Sequence, residues 1–382
     1  MIIQGNKVFV AGQFVRAQVE IIDNKISAVL PYGTKEADVD YGDYMILPGF
    51  IDVHTHGAYG YSADEGTPEG LIKWLSKLPE EGVTAFLPTT ITNRKEVTMA
   101  ALSNIARVME QKPDGAQILG AHFEGPFLDN EFRGAQAAAL IKVPSIDKFK
   151  EFQAAAGGNI KYMTLAPERD SDFELIRYAS QNGVVVSIGH SGISNEGALM
   201  AIANGVTSFT HSFNGMRGLH HREPGVVGTL MTTNVFAEII ADGYHVHPNV
   251  VNILFKAKNN TNLIMITDSV MAKGLGPGIY KRENFDVEVD DGGTARILGT
   301  NTIAGGSLKM NNGLKLLTQK AMVSIEHAIL AATYYPALAL GIERQKGQVL
   351  AGADADLTVV DGNFDVMETY CLGKAMLQKN KA

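Results

Sequence analysis

Three scarcities in this chain each exclude a class of protein. It has one cysteine, Cys371, so no intrachain disulfide can form and a reducing, cytoplasmic setting is expected. Cys371 itself reads as a small buried apolar residue. No apolar run approaches the roughly 18 to 20 residues that cross a membrane. The opening stretch "MIIQGNKVFVAGQFV" alternates apolar with polar residues and lacks the basic start and continuous apolar core of a signal peptide. Basic residues are outnumbered, 33 Lys and Arg against 41 Asp and Glu, for a net charge of -8. The two basic spots, residues 142–150 and 273–282, are diluted by acids and apolar residues, which argues against a nucleic-acid footprint. An anionic ligand would therefore need a few well-placed cations.

What the chain does have is apolar mass in short, regular pieces. Its 382 residues, 45% of them hydrophobic, are enough for a full-sized core and exceed what one compact domain usually needs. In the first 45 residues, "NKVFV", "QVEIIDNKISAVL" and "DYMIL" are strand-length runs broken by Gly, Asp and Asn turn signals. From residue 46 to about 270 the pattern changes to apolar runs alternating with amphipathic segments such as 67–80, 94–111 and 170–182. The runs are "MILPGFIDV", "TAFLPT", "ILGAHF", "KYMTLAP", "VVVSIGH", "SFTHSF", "AEIIADG" and "LIMITDS", eight in all. Eight βα units predict an α/β fold, a TIM (β/α)8 barrel with its chemistry at the C-terminal ends of the strands. An open doubly wound sheet is the alternative, since a count does not show closure.

After the eighth run, "FDVEVDDGGTARIL" predicts a hairpin turning at 290–293, with helices at about 307–321 and 324–333. The tail "GQVLAGADADLTVVDGNFDVMETYCLG" is again β. Each terminal β piece alone is too small to bury a core. Residues 1–45 and 341–382 are therefore expected to join in one small β-sandwich subdomain beside a barrel of residues 46–340.

The polar residues fall where such a barrel would use them. Run one ends in His54 and His56, run three in His122 and Glu124, run five in His190, run six in His211, run seven in Asp242 and His245, and run eight in Asp268. Residues two apart on a strand face the same way, so His54 and His56 can share one point, as can His122 and Glu124. Imidazole nitrogen and carboxylate oxygen suit zinc or iron(II), and three such ligands leave a coordination position open. A lone His-x-His is a weak signal, and Asp268 alone also fits a turn or helix N-cap. The joint pattern carries the weight.

In order along the chain, "PGFIDVHTH", "HFEGP", "GHS", "THSFNGM", "REPG", "ADGYH" and "ITDS" resemble the amidohydrolase superfamily, and within it the N-acetylglucosamine-6-phosphate deacetylase family. The resemblance runs from the N-terminal β segment to "GADADLTVVD", and "HFEGPF" with "HSFNGM" and "HHREPG" distinguishes it within the superfamily. Hydantoinases and dihydroorotases typically use a carboxylated lysine at the end of strand four. Here that run ends in "LAPE", with Lys161 at its other end, and the resemblance implies that Glu124, at the end of run three, would take the lysine's place.

The resemblance implies a divalent metal, Zn2+ or Fe2+, held by Glu124, His190 and His211, with room for a second at His54 and His56. It implies Asp268 as the catalytic acid–base and His245 as the contact to the acyl oxygen, within the substrate-site segment Asp242, Gly243, Tyr244 and His245. Asn214, Gly215 and Arg222 match sugar-phosphate contacts, the arginine reaching in from the neighbouring subunit of a homodimer. Ala135, Ile303, Ala304 and Gly305 match substrate-lining positions, while His122, His247 and His327 are read as structural or as supports behind the site residues. Three departures stand out: Gly215 replaces the usual alanine but keeps its amide, a serine follows Asp268, and "TYYPALALG" replaces Asn-Pro-Ala, read as a packing difference.

The implied reaction is metal-dependent hydrolysis of N-acetyl-D-glucosamine 6-phosphate to D-glucosamine 6-phosphate and acetate. The amide resists because its carbonyl is a poor electrophile and its amine a poor leaving group; metal, base and acid address these obstacles. Other readings are deacetylation of the galacto epimer, hydrolysis of a cyclic amide, and a non-catalytic sugar-phosphate sensor.

Overall fold

The computed structural model describes residues 1–65, 67–281 and 286–377. Arg282 of the second basic spot, Phe285 at the start of the expected hairpin, and residues 378–382 of the C-terminal segment lie outside these. Eight parallel strands form the barrel: β1 (Phe50–Thr55), β2 (Val83–Thr90), β3 (Ala121–Glu124), β4 (Ile160–Leu165), β5 (Val185–Ile188), β6 (Val206–Phe209), β7 (Phe236–Ile240) and β8 (Leu263–Ile266). Each pairs with its predecessor in parallel. The seam between β8 and β1 is tied at the rim, where the Asp268 amide donates to the His54 carbonyl at 2.9 Å and Thr267 Oγ1 donates to Asp52 Oδ2 at 2.5 Å. Strands buried on both faces explain why these runs read as nearly unbroken apolar sequence.

The first apolar run is not one strand but two. Met45–Pro48 belongs to the terminal sheet, pairing with Leu357–Val360, whereas Phe50–Thr55 enters the barrel. Gly49 marks the change of sheet, and a Cβ there would lie 2.1 to 2.7 Å from the Thr84 side chain, so only glycine lets the chain pass. The N- and C-terminal segments do share one mixed eight-stranded sheet. Ile3, Val8, Val19, Ile26, Ile46, Leu357 and Val359 pack into an apolar cluster separate from the barrel's, as a β-sandwich subdomain requires.

The expected hairpin is the middle of a larger antiparallel sheet: Gly278–Tyr280, Val287–Val289, Thr294–Ile297 and Ile303–Gly306. Helices Met310–Gln319 and Ile325–Ala332 follow, and then a third, Tyr334–Ala339, where "TYYPALALG" had signalled only packing. Its Pro336 sits within the first turn, where a missing N–H costs no helical bond. Among the described residues no helix is long and apolar enough to cross a membrane, and Cys371 is buried.

Candidate metal centre and active-site cleft

At the C-terminal rim the backbone bends sharply out of three strands. His190, His211 and Asp268 take left-handed φ values of 49°, 31° and 45°, a conformation that costs a non-glycine residue on the order of 1–3 kcal/mol. The bends turn side chains from separate strands toward one point. On β3, Glu124 and His122 share a face, with Glu124 at the mouth. His122 is occupied, with Nδ1 3.0 Å from the Val53 carbonyl and Nε2 2.8 Å from Thr164 Oγ1.

Two triads result, and in each the atoms able to ligate a cation lie within 4.8 Å of one another: Glu124, His190 and His211, and His54, His56 and Asp268. Glu124 Oε1 is 3.3 Å from His190 Nε2 and 3.2 Å from His211 Nε2, and the two imidazole nitrogens are 3.1 Å apart. The same carboxylate borders the second triad, at 3.4 Å from both His54 Nε2 and His56 Nε2. Asp268 Oδ1 lies 3.2 Å from His56 Nε2 and 3.7 Å from His54 Nε2.

The hydrogen bonds behind the imidazoles test whether this donor set suits a cation. His56 and His190 each place Nδ1 3.0 Å from a backbone carbonyl, of Thr89 and Phe132, and His54 places Nδ1 3.0 Å from Glu238 Oε2. Carbonyls and carboxylates only accept, so the proton sits on Nδ1 and Nε2 presents its lone pair to the centre. Two such nitrogens, on His54 and His56, face each other at 3.4 Å, an arrangement that favours a positive charge between them. Electrostatics agree. Burial works against a charged His54, yet the carboxylates of Glu238, Asp268 and Glu124 outweigh it and push the imidazole up to about 10. Burial likewise opposes ionisation of Glu124 and Asp268, but neighbouring imidazoles, His54 foremost, hold both well below the usual carboxylate range. Nitrogen and oxygen donors in this geometry fit a divalent metal at either triad.

Above the triads lies a cleft of about 270 Å³, at the small end of small-molecule sites. Of the residues singled out in the sequence, Glu124, His190, His211, His56, Asp268, Asn214, Gly215, His245, Ala135, Ile303, Ala304 and Gly305 line it, and His54 is fully buried beneath. Asp242 stands behind His245, its Oδ2 2.6 Å from Nδ1 and its Oδ1 accepting from the amides of Tyr244 and His245. Burial opposes protonation of His245, but Asp242 raises it above the ordinary histidine value. Gly243 makes that loop with φ of 80°, and Tyr244 is 52% exposed, outside the lining. Arg222 is not brought into this cleft; it lies exposed, with Nη1 2.7 Å from His221 Nε2. His247 and His327 sit at helix N-termini, each with Nδ1 engaged locally.

Among the contributors that escaped the sequence reading, two touch the triads directly. Glu238 lies fully buried on β7 within "FAEII", where a carboxylate inside an apolar strand is itself a signal. Gln136 donates from Nε2 to Glu124 Oε2 at 2.6 Å and accepts from the Thr92 amide at 2.8 Å. Nothing local marks it, because a polar loop residue is ordinary.

The amidohydrolase family profile matches residues 45–380. The chain is 40% identical over 365 residues to an N-acetylglucosamine-6-phosphate deacetylase of Bacillus subtilis, covering 93% of this chain and 91% of that protein. It is 36% identical over 354 residues to one from Homo sapiens, covering 90% and 86%. A mutant N-acetyl-D-glucosamine-6-phosphate deacetylase from Mycobacterium smegmatis, solved in complex with N-acetyl-D-glucosamine-6-phosphate, superposes with a TM-score of 0.94 at 29% identity over 99% of both chains. Barrel, rim geometry and likeness over nine-tenths of the length agree: the chain belongs to the amidohydrolase family, among its N-acetylglucosamine-6-phosphate deacetylases.

Proposed function

We propose that this chain hydrolyses N-acetyl-D-glucosamine 6-phosphate to D-glucosamine 6-phosphate and acetate. The observation that carries the reading is the meeting of two nitrogen–oxygen triads, Asp268 and His245 in one cleft of monosaccharide size, in a chain so like deacetylases of that substrate. Glu124, His190 and His211 would hold the principal metal, and His54 and His56 with Asp268 a second. When bound, a divalent metal such as Zn2+ or Fe2+ supplies Lewis acidity, acidifying a water and polarising the acyl oxygen.

The chain's own groups do the rest. Asp268, buried at the rim of the cleft, accepts the proton of the attacking water and passes it to the amide nitrogen as the C–N bond breaks. His245, with Asp242 at Nδ1, keeps Nε2 for the acyl oxygen and donates to it as negative charge develops there. Asn214 and the Gly215 amide offer neutral donors to the sugar phosphate.

Among the described residues that line the cleft there is no lysine or arginine, so the phosphate charge must be met from elsewhere. Arg222 of a neighbouring copy meets it, which makes the working unit a homodimer. A guanidinium suits phosphate because its fork of N–H donors matches two oxygens at once. A cytoplasmic address fits a chain with one, buried, cysteine.

The test is acetate release by metal-replete protein from N-acetylglucosamine 6-phosphate, beside N-acetylgalactosamine 6-phosphate, dihydroorotate and a hydantoin. Preference for the gluco compound is expected. No acetate from it would sink the proposal, and turnover of a cyclic amide would replace it.

A further inference from the structure

Glu238 contributes nothing to the cleft surface, yet one of its oxygens touches both triads. Oε2 lies 3.0 Å from His54 Nδ1 and accepts from the His211 backbone amide at 3.0 Å. The residue's own carbonyl accepts from the Ser212 amide at 2.9 Å, so β7 grips the end of β6 at two successive residues. That grip falls where His211 adopts its left-handed φ of 31°, a conformation that neighbours must hold. The other oxygen, Oε1, is buried without a well-formed hydrogen bond among the described residues, since the nearby Tyr162 hydroxyl donates to Ser208 Oγ at 2.6 Å. A buried carboxylate with an unpaired oxygen costs stability, and an amide or apolar side chain would cost less. Its retention calls for a use of the charge.

A third metal position is not that use. His54, His122 and Glu238 lie close together, but His54 Nδ1 already meets the carboxylate and both His122 nitrogens are engaged by Val53 and Thr164. We propose that Glu238 is a positioning residue: by accepting from His54 Nδ1 it turns Nε2 toward Glu124 and Asp268, and by accepting from the His211 amide it holds the other triad in register. One carboxylate thereby sets both metal positions. This inference rests on the two-triad reading above. A carboxylate behind a ligating imidazole typically accounts for about 10- to 100-fold in metal affinity.

The experiment titrates cobalt(II), whose visible absorption reports its ligands, into metal-free wild type, Glu238→Gln, Glu238→Ala and His54→Gln. Two binding steps are expected in wild type, and the step lost in His54→Gln identifies the second triad. Glu238→Gln keeps an acceptor oxygen for both donors, so its first-triad step should stay while its second-triad step weakens about 10- to 100-fold. Glu238→Ala should weaken both. A merely structural Glu238 would change the unfolding temperature of the metal-free chain and leave both steps in place. Wild-type titrations from both Glu238 variants, with His54→Gln still losing a step, would overturn this inference and spare the two-triad reading. A wild type with a single step that His54→Gln does not alter would overturn both. Should Glu238→Ala fail to fold, the step expected to weaken in Glu238→Gln still decides.

Discussion

Around Lys346 and around Glu124 the chain buries clusters of charge in opposite ways. In the first, beside the terminal sheet, Lys346 Nζ stands 2.7 Å from Asp354 and 2.6 Å from Asp356, and Lys25 adds a contact of 2.6 Å to Asp354. Cations and carboxylates are matched within the chain. At the barrel mouth the ion-pair partners of Glu124, Asp268 and Glu238 among the described residues are imidazoles, with no lysine or arginine beside them. Imidazole balances a carboxylate with a proton, and that proton can be exchanged for a metal at the same nitrogen. A closed ion-pair network is a structural device, whereas one closed by exchangeable protons suits a metal-binding site. The paired cluster is complete within the chain; the other asks for a cation.

The comparison can be broken from either side. The largest effect expected is at the open cluster: Asp268→Asn should lower kcat for acetate release by about 10²- to 10⁴-fold while ligand binding persists. A variant that keeps near-normal turnover would remove Asp268 from proton transfer, and binding without turnover in wild type would indicate a sensor. Next comes the closed cluster, where Lys346→Met leaves buried Asp356 without its cation and Asp354 with Lys25 alone, and should cost about 3–5 kcal/mol in urea unfolding, with metal content unchanged.

That cost has a pH signature. Burial opposes ionisation of Asp354, but Lys25 and Lys346 hold it below its ordinary value of 3.8, so its contribution is present above 3.8 and lost as pH falls through its lower folded value. Burial raises Asp356, which works in the opposite direction: its cost builds as pH rises from 3.8 through its raised folded value and is subtracted from the gain at higher pH. Lys346, raised above 10.5 by Asp356 and Asp354 against the opposing effect of burial, contributes fully below 10.5 and loses its share as pH rises through its folded value. The gap between wild type and Lys346→Met should therefore narrow in acid below about 4 and again in strong base. A gap independent of pH would mean that the loss is one of packing. The smallest effect is at neither cluster. Arg222→Ala should raise KM for the phosphorylated sugar by roughly tenfold, as for one lost charged hydrogen-bonding group, and leave that for unphosphorylated N-acetylglucosamine nearly unchanged. Equal changes for both would free Arg222 from phosphate.

Much of the site could be read from the order of residues because strands announce their ends. His54, His56, Glu124, His190, His211 and Asp268 each follow an apolar run, and a parallel barrel carries such positions to one rim. What escaped has a physical reason in each case. Gly49 divides one apolar run between two sheets because Thr84, distant in sequence, leaves no room for a Cβ. Strand Ile303–Gly306, whose residues line the cleft, is held by pairing with Thr294–Ile297 and by bonds to Asp268 and Val270, contacts that no local period reports. Gln136 reaches Glu124 from a loop with no pattern at all. The Gly215 departure gains a meaning only in space: a Cβ there would fall 2.8 Å from His190 Nδ1, in the gap that the His190 to Phe132 contact uses.

By itself the order of residues determined the βα alternation, the two terminal β segments and the types of side chain at the strand ends, since side-chain alternation and turn chemistry act over a few neighbouring residues. Only the tertiary structure decided which oxygen faces which nitrogen. His54 and Glu238 are 184 residues apart, and the bond between them, which orients the imidazole, exists only because β1 and β7 are brought within reach across the barrel. Hydrogen-bond direction is set by the packing of whole strands, and no stretch of sequence contains both partners.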